Sequence, residues 1–248
     1  MHHTVAWFED ITNDVESDVQ PIVDQMVAIQ NAHFMFEEDH ALLYARVGSP
    51  TLVRARWQTP KLRQISLPFI RPIEGEILPE PVQRIADYRK RPLIFRQREE
   101  IALLAFPDGA AAENFFGVAG FQFGPMVPAP MGDVLKFRMT STTAATAEVW
   151  SDLVMVLPDI LPYGIYAVIG LEHFSANAIC CRLIFENQWP RPGSVSVNDL
   201  TDLQHEMFTD GGLGVYGQFH STRIPGVQVV CDGADAVHEV YLDLVRIG

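Results

Sequence analysis

The 248 residues allow one large β domain with extensions or two small domains. A hydrophobic fraction of 48% leaves ample material for a core, and it exceeds what a well-solvated monomer needs. A net charge of -13 repels phosphate backbones except where basic residues are gathered, which argues against a general nucleic-acid binder.

Charge is segregated along the chain. Residues 1–45 carry nine acids, from Glu9 to Asp39, and no Lys or Arg. Twelve of the eighteen basic residues then fall between Arg46 and Arg98. Such segments can pair within a subunit or between subunits. Genome contact by the basic stretch is the alternative, and it is disfavoured by the interspersed Glu74, Glu76, Asp87, Glu99 and Glu100.

In chain order, residues 9–31 predict a helix. Val15, Val19, Ile22, Met26 and Ile29 recur at steps of three and four, with acids toward the N-terminal end. Pro21 interrupts the pattern and suits the first turn of a second helix. Ala41–Arg46 and Thr51–Trp57 read as short strands separated by Gly48-Ser49-Pro50, and Leu62–Leu67 alternates. Pro68–Val82, with four prolines, reads as an extended linker. These features place a boundary near residue 90, with an acidic helix and a basic, proline-rich arm over 1–90 and a β domain over 91–248.

The rest is strand after strand: Pro92–Phe95, Ile101–Phe106, Asn114–Phe123, Asp133–Thr140, Ala147–Leu157, Ile165–Glu172, Ala178–Glu186, Gly214–His220, Val227–Cys231 and His238–Ile247. Asp108-Gly109 and Asp232-Gly233 read as tight hairpin turns, and Asn198–Met207 reads as a short helix. Turn signals every eight to fifteen residues predict a mainly β chain, an antiparallel sandwich or barrel.

Catalytic patterns are missing. His2-His3 is the one close histidine pair, at an end expected to be floppy, and Glu172-His173 offers one histidine without a partner at metal-ligand spacing. Gly211-Gly212-Leu213-Gly214 lacks the Lys-Ser/Thr of a phosphate loop and reads as a flexible loop, and Asp232-Gly233-Ala234-Asp235 fits a turn better than a calcium loop. The neighbouring Glu99 and Glu100 would diverge on a strand, so they cannot flank a glycosidic bond together. Cys180, Cys181 and Cys231 form no disulfide framework and read as buried thiols. No secretory leader pattern opens the chain, and no run suits a transmembrane helix. No catalytic, cofactor or metal residue is assigned, and the chain reads as a non-enzyme.

The run Pro162-Tyr163-Gly164-Ile165-Tyr166-Ala167-Val168-Ile169-Gly170 leading into Arg182-Leu183-Ile184-Phe185, and the ending Val237–Val245, resemble the inner sheets of the jelly-roll coat proteins of icosahedral viruses, bacteriophages in particular. The resemblance covers residues 90–248 and implies an eight-stranded jelly-roll sandwich that self-assembles into a capsid shell. It implies copies of itself and other virion proteins as partners, and a place in the virion after assembly in the host cytoplasm. Contact with an internal membrane is left open. Many such phage coats carry two jelly rolls, and residues 40–90 are too short for a second. The alternatives are a carbohydrate-binding or host-attachment sandwich using Trp150, Trp189, Tyr163 and Tyr216, and a cupin-like metalloenzyme.

Overall fold

The computed structural model describes residues 1–11, 16–24, 27–30, 33–48, 52–60, 85–107, 113–186, 188–196 and 206–248. Eighteen strands run through them, in mainly antiparallel sheets. The chain divides into two compact units: Val5–Phe123, and Met1–Thr4 together with Gly124–Gly248.

The N-terminal unit holds most of β1 (His2–Ile11), then β2 (Ser17–Val19), β3 (Ala28–Gln30), β4 (His33–Met35), β5 (His40–Gly48), β6 (Leu52–Gln58), β7 (Ala86–Asp87), β8 (Leu93–Phe95), β9 (Ala102–Pro107) and β10 (Glu113–Phe123). One sheet runs β1-β10-β5-β7, with β8 also on β5, and a second runs β2-β9-β6. β5 is buried on both faces, as its apolar run from Leu42 to Ala45 requires, and it takes Arg46 in with it. The core is aromatic. Trp7 meets Phe34 and Trp57 edge-on, each at 5.2 Å, and Phe121 packs on Phe34 at 5.3 Å.

The expected helix over 9–31 is not formed. Residues 9–11 belong to β1, 17–19 to β2 and 28–30 to β3; Val15 and Met26 lie outside the described residues. Val19 pairs with Leu103, and Ile22 donates its N–H to the Ala6 carbonyl at 2.8 Å. Pro21 bridges Trp7 while its neighbours carry the hydrogen bonds, because Phe8 donates to the Gln20 carbonyl. Of the described positions of that spacing, Val19 and Ile22 are buried in extended chain and Ile29 is half-buried, and sheet partners overrode the local pattern.

The turn at Tyr88–Arg91 is no domain boundary in this structure, because β7 and β8 on either side of it both pair with β5. β9 and β10 form no hairpin: β9 lies between β2 and β6, and β10 between β1 and β5. Their Asp108-Gly109 link lies outside the described residues, as do Leu62–Leu67, Pro68–Val82 and most of Asn198–Met207, whose last two residues form a 3-10 turn.

The C-terminal unit holds β11 (Val134–Ser141), β12 (Ser151–Leu153), β13 (Ile165–Phe174), β14 (Ala178–Ile184), β15 (Gly193–Val195), β16 (Gly217–His220), β17 (Gly226–Cys231) and β18 (His238–Arg246). Two four-stranded sheets form, β11-β18-β13-β16 and β12-β17-β14-β15. The pairing is nested: first strand with eighth, second with seventh, third with sixth, fourth with fifth. The N-terminal unit repeats the nesting, β1 with β10, β2 with β9 and β5 with β8. β17 and β18 sit in different sheets, so Asp232-Gly233 carries the chain between sheets instead of closing a hairpin. The expected long strand Ala147–Leu157 shrinks to β12, since Glu148 adopts a left-handed φ of 65°.

Phe121→Ala is expected to lower the stability of the N-terminal unit by about 3–5 kcal/mol, because its ring joins Phe34, Phe36 and Trp57 with no exposed surface. Urea unfolding followed by tryptophan fluorescence checks this, and a change under about 1 kcal/mol would disprove that packing.

Candidate functional site

β14 is apolar from Ala178 to Phe185 except for Arg182, and Arg182 is buried. Its guanidinium lies 3.7 Å from the Trp150 ring centroid. Nε donates to Gln228 Oε1 at 2.9 Å, and one terminal nitrogen donates to the Thr4 carbonyl at 3.3 Å. The Gln228 oxygen also accepts from Arg191 at 2.9 Å, while its amide donates to Asp152 Oδ1 at 2.8 Å. Register explains the convergence: Asp152, Gln228, Arg182 and Gly193 stand in one row across β12, β17, β14 and β15. A desolvated cation on an indole face contributes about 2 kcal/mol.

This row clamps the chain start. Thr4 donates to the Arg191 carbonyl at 3.0 Å, the Arg191 N–H donates to His3 Nδ1 at 3.0 Å, and His2 Nε2 lies 3.2 Å from the Gly193 carbonyl. His2 and His3 are therefore buried, where a floppy end was expected. Burial pushes the His2 imidazole down to about 3. Gly193 is required here, since an added Cβ would lie 2.2 Å from the Cys181 carbonyl oxygen.

A second polar group lies inside the same unit. His173 Nδ1 is 2.7 Å from Ser196 Oγ, and its Nε2 is 3.3 Å from His238 Nδ1, with all three side chains buried. Burial, and then repulsion from His238, hold His173 down at about 3, although Asp235 opposes the shift. His238 is lowered too, again chiefly by burial. The sequence scan found Glu172-His173 partnerless because His238 comes from the far end of the chain. Glu172 points the other way and pairs with Lys136 at 2.5 Å. Among the described residues no three His, Cys, Asp or Glu side chains gather as a metal site.

The remaining candidates disperse. Asp235 accepts from Asn177 N, Val237 N and Ser175 Oγ, so its oxygens hold a loop together. Gly211 and Gly214, both at positive φ, form a bonded turn in which Gly211 donates to the Ile169 carbonyl; the expected flexible loop is tied to β13. Glu99 accepts from Arg96 N while Glu100 faces His33. The three thiols are buried and in no disulfide, and burial pushes Cys181 and Cys231 up to about 12, far from nucleophilic thiolates. The four aromatics share no groove: Tyr216 is buried, Trp150 covers Arg182, Trp189 stacks on His3, and Tyr163 meets His220. No helix among the described residues is long and apolar enough to cross a membrane.

The acidic and basic segments pair inside the N-terminal unit. Glu16 forms a bidentate pair with Arg56, Asp39 pairs with Arg96, and Glu37 with Arg98. The sequence missed the Arg182 row, yet it left a signal: one Arg and one Gln stand alone in the apolar runs Ala178–Phe185 and Val227–Cys231.

No family model and no curated protein matches the chain. Among solved structures it is similar to the major capsid protein P2 from bacteriophage PM2, at 9% identity over 100% of this chain and 98% of that one. The TM-score is 0.24.

Two outcomes are expected. His173 binds a proton near pH 6.5 when unfolded and near 3 when folded, so the unfolded state holds more protons between those values and stability falls as pH drops below 6.5. His173's share of the loss at pH 5 is about 2 kcal/mol, and His173→Gln should remove that share, leaving that of His2, in urea titrations at pH 7 and pH 5. An unchanged slope would remove His173 from the acid response. Arg182→Ala should cost about 3 kcal/mol and speed hydrogen exchange at Thr4 N; unaltered protection there would show that the clamp does not hold the chain start.

Proposed function

We propose that each unit is a jelly roll and that the chain is a structural subunit, a coat protein that self-assembles into a virion shell. The observation that carries the reading is the nested eight-strand pairing of β11–β18, an antiparallel ribbon rolled into two four-stranded sheets. The N-terminal unit supports it by repeating the nesting with β1, β2, β5, β8, β9 and β10. The second roll then spans residues 5–123, a longer stretch than the 40–90 considered from sequence. The step from roll to coat is an argument from fold and composition.

In this reading the partners are copies of the same chain, and other virion proteins contact the shell. Arginine suits those contacts, because its planar fork holds carboxylates bidentately, as Arg56 holds Glu16. The chain does no chemistry of its own: the titratable groups described above hold strands, loops and the chain start together.

Purified protein should form defined oligomers or closed particles in sedimentation velocity and negative-stain electron microscopy. A single monomeric species at high concentration, with turnover of a small substrate, would end this reading.

A further inference from the structure

One surface of the C-terminal unit is built differently from the rest. The chain leaving β12 returns along the outer edge of β11, where Val156 and Thr140 exchange both backbone hydrogen bonds, at 2.7 and 3.0 Å. Asp159 then lies close enough to act electrostatically on the Arg138 guanidinium, whose main partner is Glu239. The chain next joins β13 where Ile165 and the chain end exchange bonds, Ile165 N to the Gly248 carbonyl and Ile247 N to the Ile165 carbonyl. Arg246 reaches back to the Tyr163 carbonyl at 2.9 Å. Val134 pairs with Val245, so the start of β11 abuts the same region.

Along this path most side chains are apolar and exposed, with Asp159 charged and Leu161 turned inward. Met131 is fully exposed, Ile160 is 96% exposed, Tyr163 76%, Val154 72% and Val156 58%. With the half-exposed Val134, Ile165 and Ile247 they present on the order of 1,000 Å² of surface, scaling from about 200 Å² for a large side chain. The largest apolar patch on an ordinary monomer is roughly 300–600 Å². One partner of a stable interface contributes roughly 800 Å².

We propose that this strip docks a second copy of this chain. The proposal rests on the reading of the chain as a self-assembling subunit and names the surface that does it. Two features select a second copy as the occupant. The area matches one side of a standard protein–protein interface. The rim also carries both signs on a chain of net charge -13: exposed Asp133 and Asp159 stand with exposed Lys136, Arg138 and Arg246, of which Arg138 pairs with Glu239. Such a rim complements itself when two copies meet, and it repels neither an acidic nor a basic neighbour outright. A polyanion would want the arginines alone.

Sedimentation equilibrium of the full chain tests this. Wild type should associate. The triple variant Met131→Ser, Val154→Ser, Ile160→Ser should raise the dissociation constant more than about tenfold. Ile160→Lys alone should act in the same direction. Val23→Ser serves as the control, because Val23 is equally exposed but lies in the N-terminal unit, and it should change nothing. The variants remove no buried contact, so circular dichroism and Tm should hold. Salt should strengthen association, since it screens the repulsion between acidic copies. If the triple variant associates like wild type, the strip is not the interface, although the chain remains a subunit. If wild type stays monomeric, both readings fall. If it is monomeric but floats with phosphatidylcholine vesicles, the strip belongs to a bilayer and the proposal is overturned.

Discussion

Every other feature of the C-terminal unit depends on pairing between the first and last strands of the roll. β11 has β18 as its regular partner, with Val134 opposite Val245 and Ser141 opposite His238. β18 in turn lies against β13, so it is the centre of its sheet. A ribbon rolled this way must bring distant segments together before it gains anything from them. Loop closure therefore precedes the reward, and such topologies fold slowly. In exchange the fold is insensitive to loop length. The long connections between β12 and β13, and between β15 and β16, leave the nesting unaltered.

The same closure explains where the polar groups went. Rolling stacks one sheet on the other and sweeps in any polar residue on an inner face, so His173 and His238 meet each other and Ser196 between the sheets. On the opposite face of β14, Arg182 would be an isolated buried charge. It is held by an indole, an amide and a carbonyl, and its counter-charge, Asp152, acts through Gln228. Buried ions in that arrangement add little net stability but penalise any other register. A one-residue slip of β14 would point Arg182 into the apolar interior beside Leu183 and Phe185.

Strands with strict alternation or long β-branched runs were legible in the sequence. β5, β11, β13, β14, β17 and β18 fall within a few residues of their expected places, because their apolar faces are dictated by burial alone. Three features were not legible. The helix over 9–31 failed because extended chain buried on one side and then the other can mimic a spacing of three and four. The hairpins at Asp108-Gly109 and Asp232-Gly233 failed because a turn signal marks a reversal without saying which strand the chain joins next. The clamp on His2–Thr4 and the His173–His238 pair were hidden because both join segments far apart in sequence, which local pattern cannot reach.

The dispersal of the candidate residues bears on how the surplus of apolar side chains should be understood. In an enzyme, apolar side chains beyond the core line a cleft and converge on a few polar groups. In the C-terminal unit several exposed ones, Val154, Val156, Ile160 and Tyr163, lie along residues 154–163, which bridge β11 at Val156. Natural sheets protect such an edge with charge, proline or a covering segment. This edge has its cover, residues 154–163, but the cover is itself apolar on its outer side. Pro158 and Pro162 limit its backbone pairing with a further strand and leave side-chain contact as its means of attachment. A surface that declines to extend the sheet yet remains hydrophobic favours contact through side chains over growth strand by strand.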